Sequence, residues 1–247
     1  MITKTEARLW TDGRYFIQAA AQLEGTTVEL MKMGEPGVPE MNAYIEEVLK
    51  EGETLGFDGR VVSVGEGEGY AAIARKKNAK VNYQVDLIDE IWEDRPVLSE
   101  EPAFDLDVKY AGETVASKLA RIREEMKQAG TNVHVVSTID DICWTLNIRG
   151  NDIDFFPLVL SYGIITMDSF ELYIDERKLD DKLKAKLAKD GVNLHPYNDI
   201  YEDVKKFGSD VVAMIDPGKL NYALFNNIPE NVKTIRKEKS GDSYESN

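Results

Sequence analysis

The chain has a single cysteine, Cys143, so no disulfide can close within it. Set between Ile142 and Trp144, that thiol reads as buried and inert rather than as a nucleophile, because neither histidine is near it in sequence. Histidine is almost as scarce: His134 and His195 are the only two. They could serve a metal only if the fold brought them together with acids. No apolar run approaches the ~20 residues of a membrane span. The opening MITKTEARLW has no signal-peptide core, so the cytoplasm is the expected compartment and a membrane is not an expected partner. Positive charge is also in short supply, with 30 Lys and Arg against 45 Asp and Glu and a net charge of −15. An acidic surface repels phosphate backbones, which argues against nucleic acid as a partner.

What is present suits a folded protein. The 247 residues are 43% hydrophobic and 30% charged, enough for one or two globular domains. Short apolar runs alternate with helical spacings through the first ninety residues. Strands are predicted at 7–12, 26–33, 54–58 and 79–85, and helices at 14–23, 40–50 and 69–78, an α/β pattern. From 94 to 113 the periodicity fades, acids accumulate and two prolines appear, as at a domain boundary. The clearest helix follows at 114–130, where Val115, Leu119, Ile122 and Met126 share one face between Thr114 and Gly130. Strands at 132–137, 157–166, 169–175, 192–197, 210–216 and 231–235 surround helices at 138–146, 177–190, 198–207 and 217–226. The pair 157–166 and 169–175 reads as a hairpin, so the second sheet is expected to be mixed. The polar end from 237 to 247 reads as a frayed tail.

Four groups of residues invite a functional reading. GEGEGY (65–70) is glycine-rich and precedes a helix, but Glu66 and Glu68 oppose an anion there, so it reads as a plain flexible loop. Asp140, Asp141, Asp152 and Asp154 flank ICWTLNIRG and could hold a hard metal. Their positions fit a capping and ion-pair network better, with Arg149 neutralising one acid pair. His134 and His195 both read as structural residues on strands. Arg14 follows the Asp12-Gly13 turn at the end of an apolar strand, and its fork of donors suits a carboxylate or peptide oxygens. A salt bridge to Asp12 is the other reading.

The ordered stretches LWTDGRYFIQA, LMKMG, DEIWEDRP, DDICWTLNIRGNDI and SYGIIT resemble the two N-terminal, creatinase-like domains of the three-domain Xaa-Pro aminopeptidases. The resemblance runs from about residue 3 to about residue 235. It implies two α/β domains of the creatinase N-terminal (ribonuclease H-like) type, with mixed sheets flanked by helices. They are expected at 1–93, lacking its start, and at 113–236, joined by an acidic linker at 94–112. In that family a C-terminal "pita-bread" domain holds two divalent metals, usually manganese. No catalytic or metal-binding residue is therefore expected in this chain, and it is expected to be inactive alone. The resemblance also gives Arg14 a substrate contact, with Trp10, Asp12 and Gly13 positioning it, and turns NIRGND towards a neighbouring domain. Phe156-Pro157 stands where family members often carry Asn-Pro, which puts a polar contact there in doubt. The implied partners are a peptide with proline in second position and further copies of the chain. Two other readings stay open: a stand-alone binding or scaffold module, and an autonomous hydrolase built on the four aspartates.

Overall fold

The computed structural model describes residues 1–237, so the expected tail falls outside the described residues from 238 onward. In chain order the elements are β1 (Ala7–Thr11), α1 (Phe16–Leu23), β2 (Val28–Lys32), α2 (Met41–Val48), β3 (Thr54–Gly56), α3 (Val64–Lys76) and β4 (Lys80–Asn82). Then come β5 (Phe104–Asp105), α4 (Val108–Ala111), α5 (Val115–Gln128), β6 (Val133–Val136), α6 (Ile139–Leu146) and β7 (Ile148–Arg149). The last third holds β8 (Tyr162–Thr166), β9 (Phe170–Tyr173), α7 (Asp181–Lys189), β10 (Val192–His195), α8 (Ile200–Asp203), β11 (Val212–Ile215), α9 (Tyr222–Asn227) and β12 (Lys233–Arg236). Contacts divide the chain into two compact units. One comprises Met1–Gly56 with Glu68–Asn82, the other Phe57–Gly67 with the chain from Tyr83 onward.

In the first unit the strands form two separate parallel pairs, β1 with β2 and β3 with β4, rather than one continuous sheet. Each pair encloses a helix between its strands in sequence, so both have the β-α-β form that the alternating pattern predicts. The second unit carries a six-stranded sheet in the order β10-β9-β8-β6-β11-β12. β8 runs antiparallel to β6 and β9 while the remaining pairs are parallel, so the sheet is mixed as expected. The hairpin β8–β9 turns on Thr166, whose Oγ1 accepts from the amides of Asp168 and Ser169.

Alternation along these strands builds a core on each face. Val136, Ile165, Phe170, Leu172 and Met214 face α5, α6 and α7, where Leu119, Ile142 and Leu187 are buried. Val133, Val135, Ile164, Ala213 and Ile215 face the other way, against Ile200, Val204, Leu220 and Leu224.

Helix ends follow local chemistry. Thr114 Oγ1 accepts from Ser117 N at the start of α5. At its end Gly130, at φ 71°, closes a double bond pattern in which Thr131 N reaches Met126 O at 2.9 Å and Gly130 N reaches Lys127 O at 3.0 Å. GEGEGY is not a loop: α3 starts at Val64 and absorbs it. Ser63 Oγ accepts from Glu66 N, and the Glu66 carboxylate accepts from Ser63 N and Oγ, a reciprocal cap that starts the helix despite its glycines. Gly67 has a second reason to lack a side chain, since a Cβ there would lie 2.3 Å from the Tyr222 ring.

Candidate functional site

The stretch around Arg14 is built outward from β1. Trp10 tilts against Tyr44 with ring centroids 5.3 Å apart, and its indole N–H donates to Pro39 O at 2.8 Å. Leu9, by contrast, is exposed, because alternation along the strand turns it away from Trp10. Past the strand, Asp12 O accepts from Tyr15 N and Asp12 Oδ1 from Arg14 N, which forms a tight turn over Gly13. The Arg14 guanidinium then donates to both carboxylate oxygens of Asp12, at 2.9 and 2.8 Å. Those hydrogen bonds hold the Asp12 carboxyl down at about 2 and push the guanidinium further up, so the pair stays ionised at any physiological pH. Arg14 remains 80% exposed while it is paired. The salt bridge to Asp12 is therefore present, and the rest of the Arg14 side chain is open to solvent.

The four aspartates of the second unit do not converge. Asp141 Oδ2 accepts from Thr138 Oγ1 at the start of α6, and Asp140 is exposed in the same first turn, as acids at a helix N-terminus should be. Asp152 is enclosed, and its Oδ2 accepts from Leu160 N at 2.7 Å and from Lys178 Nζ at 2.5 Å. Arg149 does not neutralise an acid pair as its position suggested; its Nη1 donates to the carbonyls of Cys143 and Ile148 instead. Lys178 supplies the counter-charge from 26 residues away, a separation no local pattern reveals. Cys143 is buried as expected, accepts from Val159 N at 3.3 Å, and its thiol is pushed up by burial. Asn147 closes α6 at φ 53°, accepting from Lys118 Nζ and donating to Glu113 O, which accounts for the asparagine of NIRG.

The histidines lie apart on β6 and β10. His134 Nδ1 is bonded to Met214 O, while His195 Nε2 meets Glu171 Oε2 at 2.6 Å and its ring stacks on Tyr173. Among the described residues no three His, Cys, Asp or Glu side chains gather into a metal-binding group. The donors present here do not fit a two-metal centre.

One cluster escaped the sequence reading because its members come from four distant segments. Tyr162 and Tyr201 share a hydroxyl contact of 3.2 Å, Asn221 Nδ2 donates to the Tyr201 hydroxyl at 3.1 Å, and Arg60 lies over the Tyr201 ring. Burial pushes the Tyr162 phenol up to about 12. The fold therefore favours the neutral phenol. That preference is fully present below the ordinary tyrosine value of 10 and is lost as pH rises towards about 12. Urea unfolding between pH 9 and 12 is expected to show stability falling by up to about 1.4 kcal/mol per pH unit from this group. Tyr162→Phe should flatten that part of the slope. An unchanged slope in the variant would remove Tyr162 as its source.

The second unit is thus an open, mixed α/β sheet covered by helices on both faces, and the first is a pair of β-α-β elements. Residues 1–94 and 94–242 each match the creatinase/prolidase N-terminal domain family, and the chain belongs to that family. Aminopeptidase P2 of Arabidopsis thaliana is 37% identical over 230 residues, covering 92% of this chain and 32% of the relative. Xaa-Pro aminopeptidase app-1 of Caenorhabditis elegans is 36% identical over 239 residues, 93% of this chain and 38% of the relative. Among solved structures, the X-prolyl aminopeptidase of Caenorhabditis elegans, a cytosolic enzyme with a di-nuclear active site, matches at a TM-score of 0.90 and 33% identity. That match covers 96% of this chain and 40% of the other. The chain therefore spans about a third of the length of these curated relatives and is similar to their N-terminal region. No helix among the described residues is long and apolar enough to cross a membrane.

Proposed function

We propose that this polypeptide forms the non-catalytic N-terminal region of a metal-dependent Xaa-Pro aminopeptidase, which removes the residue preceding a proline at the second position of a peptide. The observation that carries the proposal is the coverage: relatives bearing that activity match more than nine-tenths of this chain but are roughly three times as long. The two metals, manganese on the pattern of the family resemblance, would be held by the remaining part of the longer protein. On this reading the two domains are residues 1–93 and 113–236, joined by the acidic stretch 94–112; the meeting of both family matches at residue 94 supports it, although the compact units put 57–67 and the chain from 83 together. On this reading they shape the substrate cleft, contribute to contacts between copies of the enzyme, and act in the cytoplasm.

Within that region we assign Arg14 to the peptide substrate. Asp12 fixes the guanidinium through two hydrogen bonds and leaves its outer edge exposed, which suits capture of a carboxylate or backbone carbonyl without large reordering. With the catalytic portion present, Arg14→Ala is expected to lower kcat/KM for a tripeptide such as Arg-Pro-Pro by roughly tenfold to a hundredfold, the worth of a charged hydrogen bond. Arg14→Lys should recover part of the loss. An unchanged kcat/KM in Arg14→Ala would take the residue out of the site.

A further inference from the structure

The second unit holds a cavity of about 780 Å³ that no part of the aminopeptidase reading uses. Its position follows from the sheet topology. β6 and β11 are adjacent and parallel, so their carboxyl ends lie side by side. From β6 the chain passes through α6 towards β8, on the sheet face that carries α5 and α7. From β11 it passes through α9 to β12, and α9 packs on the opposite face. Two neighbouring parallel strands whose connections leave in opposite directions open a crevice at their carboxyl ends, the place where α/β sheets receive ligands. The cavity is lined there by Ser137 and Thr138 after β6 and by Asp216 after β11.

The chemistry of the walls is graded. His134, Asp141 and Asp216 are all partly buried and line the cavity. The carbonyl of Met214 can only accept, so His134 Nδ1 carries the proton of that hydrogen bond. Burial lowers the pKa of the ring, against the upward pull of the Asp141 and Asp216 carboxylates, and so favours the neutral form with Nε2 as an acceptor. Among the inner groups the carboxylates of Asp141 and Asp216 and Nε2 of His134 are acceptors that suit a donor-rich, positively charged head, while Arg149, also partly buried in the lining, directs its Nη1 to the carbonyls of Cys143 and Ile148. Ile122, Leu158, Met214 and the half-exposed indole of Trp144 supply an apolar wall. Arg121, Lys219 and Lys237 line the cavity as exposed cations, alongside the exposed acids Glu125 and Asp140.

We propose that this crevice binds a small zwitterion with an apolar body, an α-amino acid or a dipeptide, its ammonium group set between Asp141, Asp216 and His134 and its carboxylate among the outer cations. A volume of about 780 Å³ is sufficient for either ligand. The shared chemistry is a free ammonium, a free carboxylate and an aliphatic side chain.

The test is a proton–nitrogen NMR titration of the chain with L-leucine, the dipeptide Leu-Leu, N-acetyl-L-leucine and L-leucinamide. Saturable shifts are expected for amides at 136–145 and 213–220 with leucine or Leu-Leu, and the tighter of the two identifies the natural source. Blocking the ammonium in N-acetyl-leucine should weaken binding roughly tenfold, the loss of one charge-assisted hydrogen bond. Leucinamide should be weakened less, because the outer cations are solvated. Asp216→Asn keeps an oxygen for Gly218 N, which Asp216 Oδ1 now accepts at 2.9 Å, and should weaken leucine by a similar factor. Absence of saturable shifts with either zwitterion would overturn the proposal. So would binding of N-acetyl-leucine as tight as that of leucine, a comparison that needs no variant to fold.

Discussion

Replacing Lys178 by methionine is expected to destabilise the chain by about 3–5 kcal/mol. Lys178 and Asp152 expose only 2% and 1% of their side chains, and their 2.5 Å contact is the ion pair most completely withdrawn from water among the described residues. Without Lys178, the Asp152 carboxylate would keep a single amide donor, Leu160 N, on Oδ2, while Oδ1 already has no partner. Water cannot easily replace the ammonium in so enclosed a place, so the carboxylate must be buried bare or take up a proton. At this chain length the loss corresponds to a fall of roughly 2–4 °C in Tm per kcal/mol. Two comparisons separate this account from a general sensitivity to lysine replacement. Lys205→Met breaks an exposed contact with Glu202 at 2.6 Å and should cost at most about 1 kcal/mol. The double variant Asp152→Leu with Lys178→Met removes both charges and should recover most of the loss. A Lys178→Met variant as stable as Lys205→Met would contradict the reading.

Gly163→Ala is expected to cost about 1–3 kcal/mol. Gly163 lies in β8 opposite Leu172, and a Cβ built there falls 2.7 Å from Phe170 Cζ and 2.9 Å from Cε1. Phe170 is wholly buried, so its ring cannot swing into solvent to make room. Strand propensity would favour alanine over glycine, but by well under the cost of displacing an aromatic ring from a packed core. Phe170→Leu removes the ring atoms that collide. It leaves a cavity of its own, so alone it should also be destabilising. Combined with Gly163→Ala, the loss should be smaller than the sum of the two, and urea unfolding of the four proteins in a double-mutant cycle measures that coupling. Strict additivity would show that the ring is not what excludes the side chain.

These two sites also mark where the sequence is legible and where it is not. The stripe Val115, Leu119, Ile122, Met126 between Thr114 and Gly130 announces α5 almost to the residue, because cap, periodicity and stop are all local. The hairpin β8–β9 and the mixed sheet are similarly readable, since alternation and a short turn leave few options. The start of α3 is hidden in the sequence because glycine and glutamate in GEGEGY mask a cap three residues upstream of Glu66, although the Ser63-to-Glu66 spacing signals it. The glycine of SYGIIT is visible as a motif, but the reason for it, Phe170, lies on the neighbouring strand. The separation of β1–β2 from β3–β4 depends on non-local pairing, which periodicity cannot supply. Lys178 and Asp152 meet only because β8 and β9 return between them. At Arg14 the sequence held both relevant facts, the Asp12 partner and the turn, and the fold shows that they coexist.

The most direct measurement is peptide cleavage by the purified 247-residue chain, supplied with manganese and Arg-Pro-Pro and assayed for released arginine. The account assigns the reacting metals to polypeptide outside this region, so no release above the metal-only control is expected. Sustained turnover that copurifies with the chain and disappears on adding a chelator would contradict it.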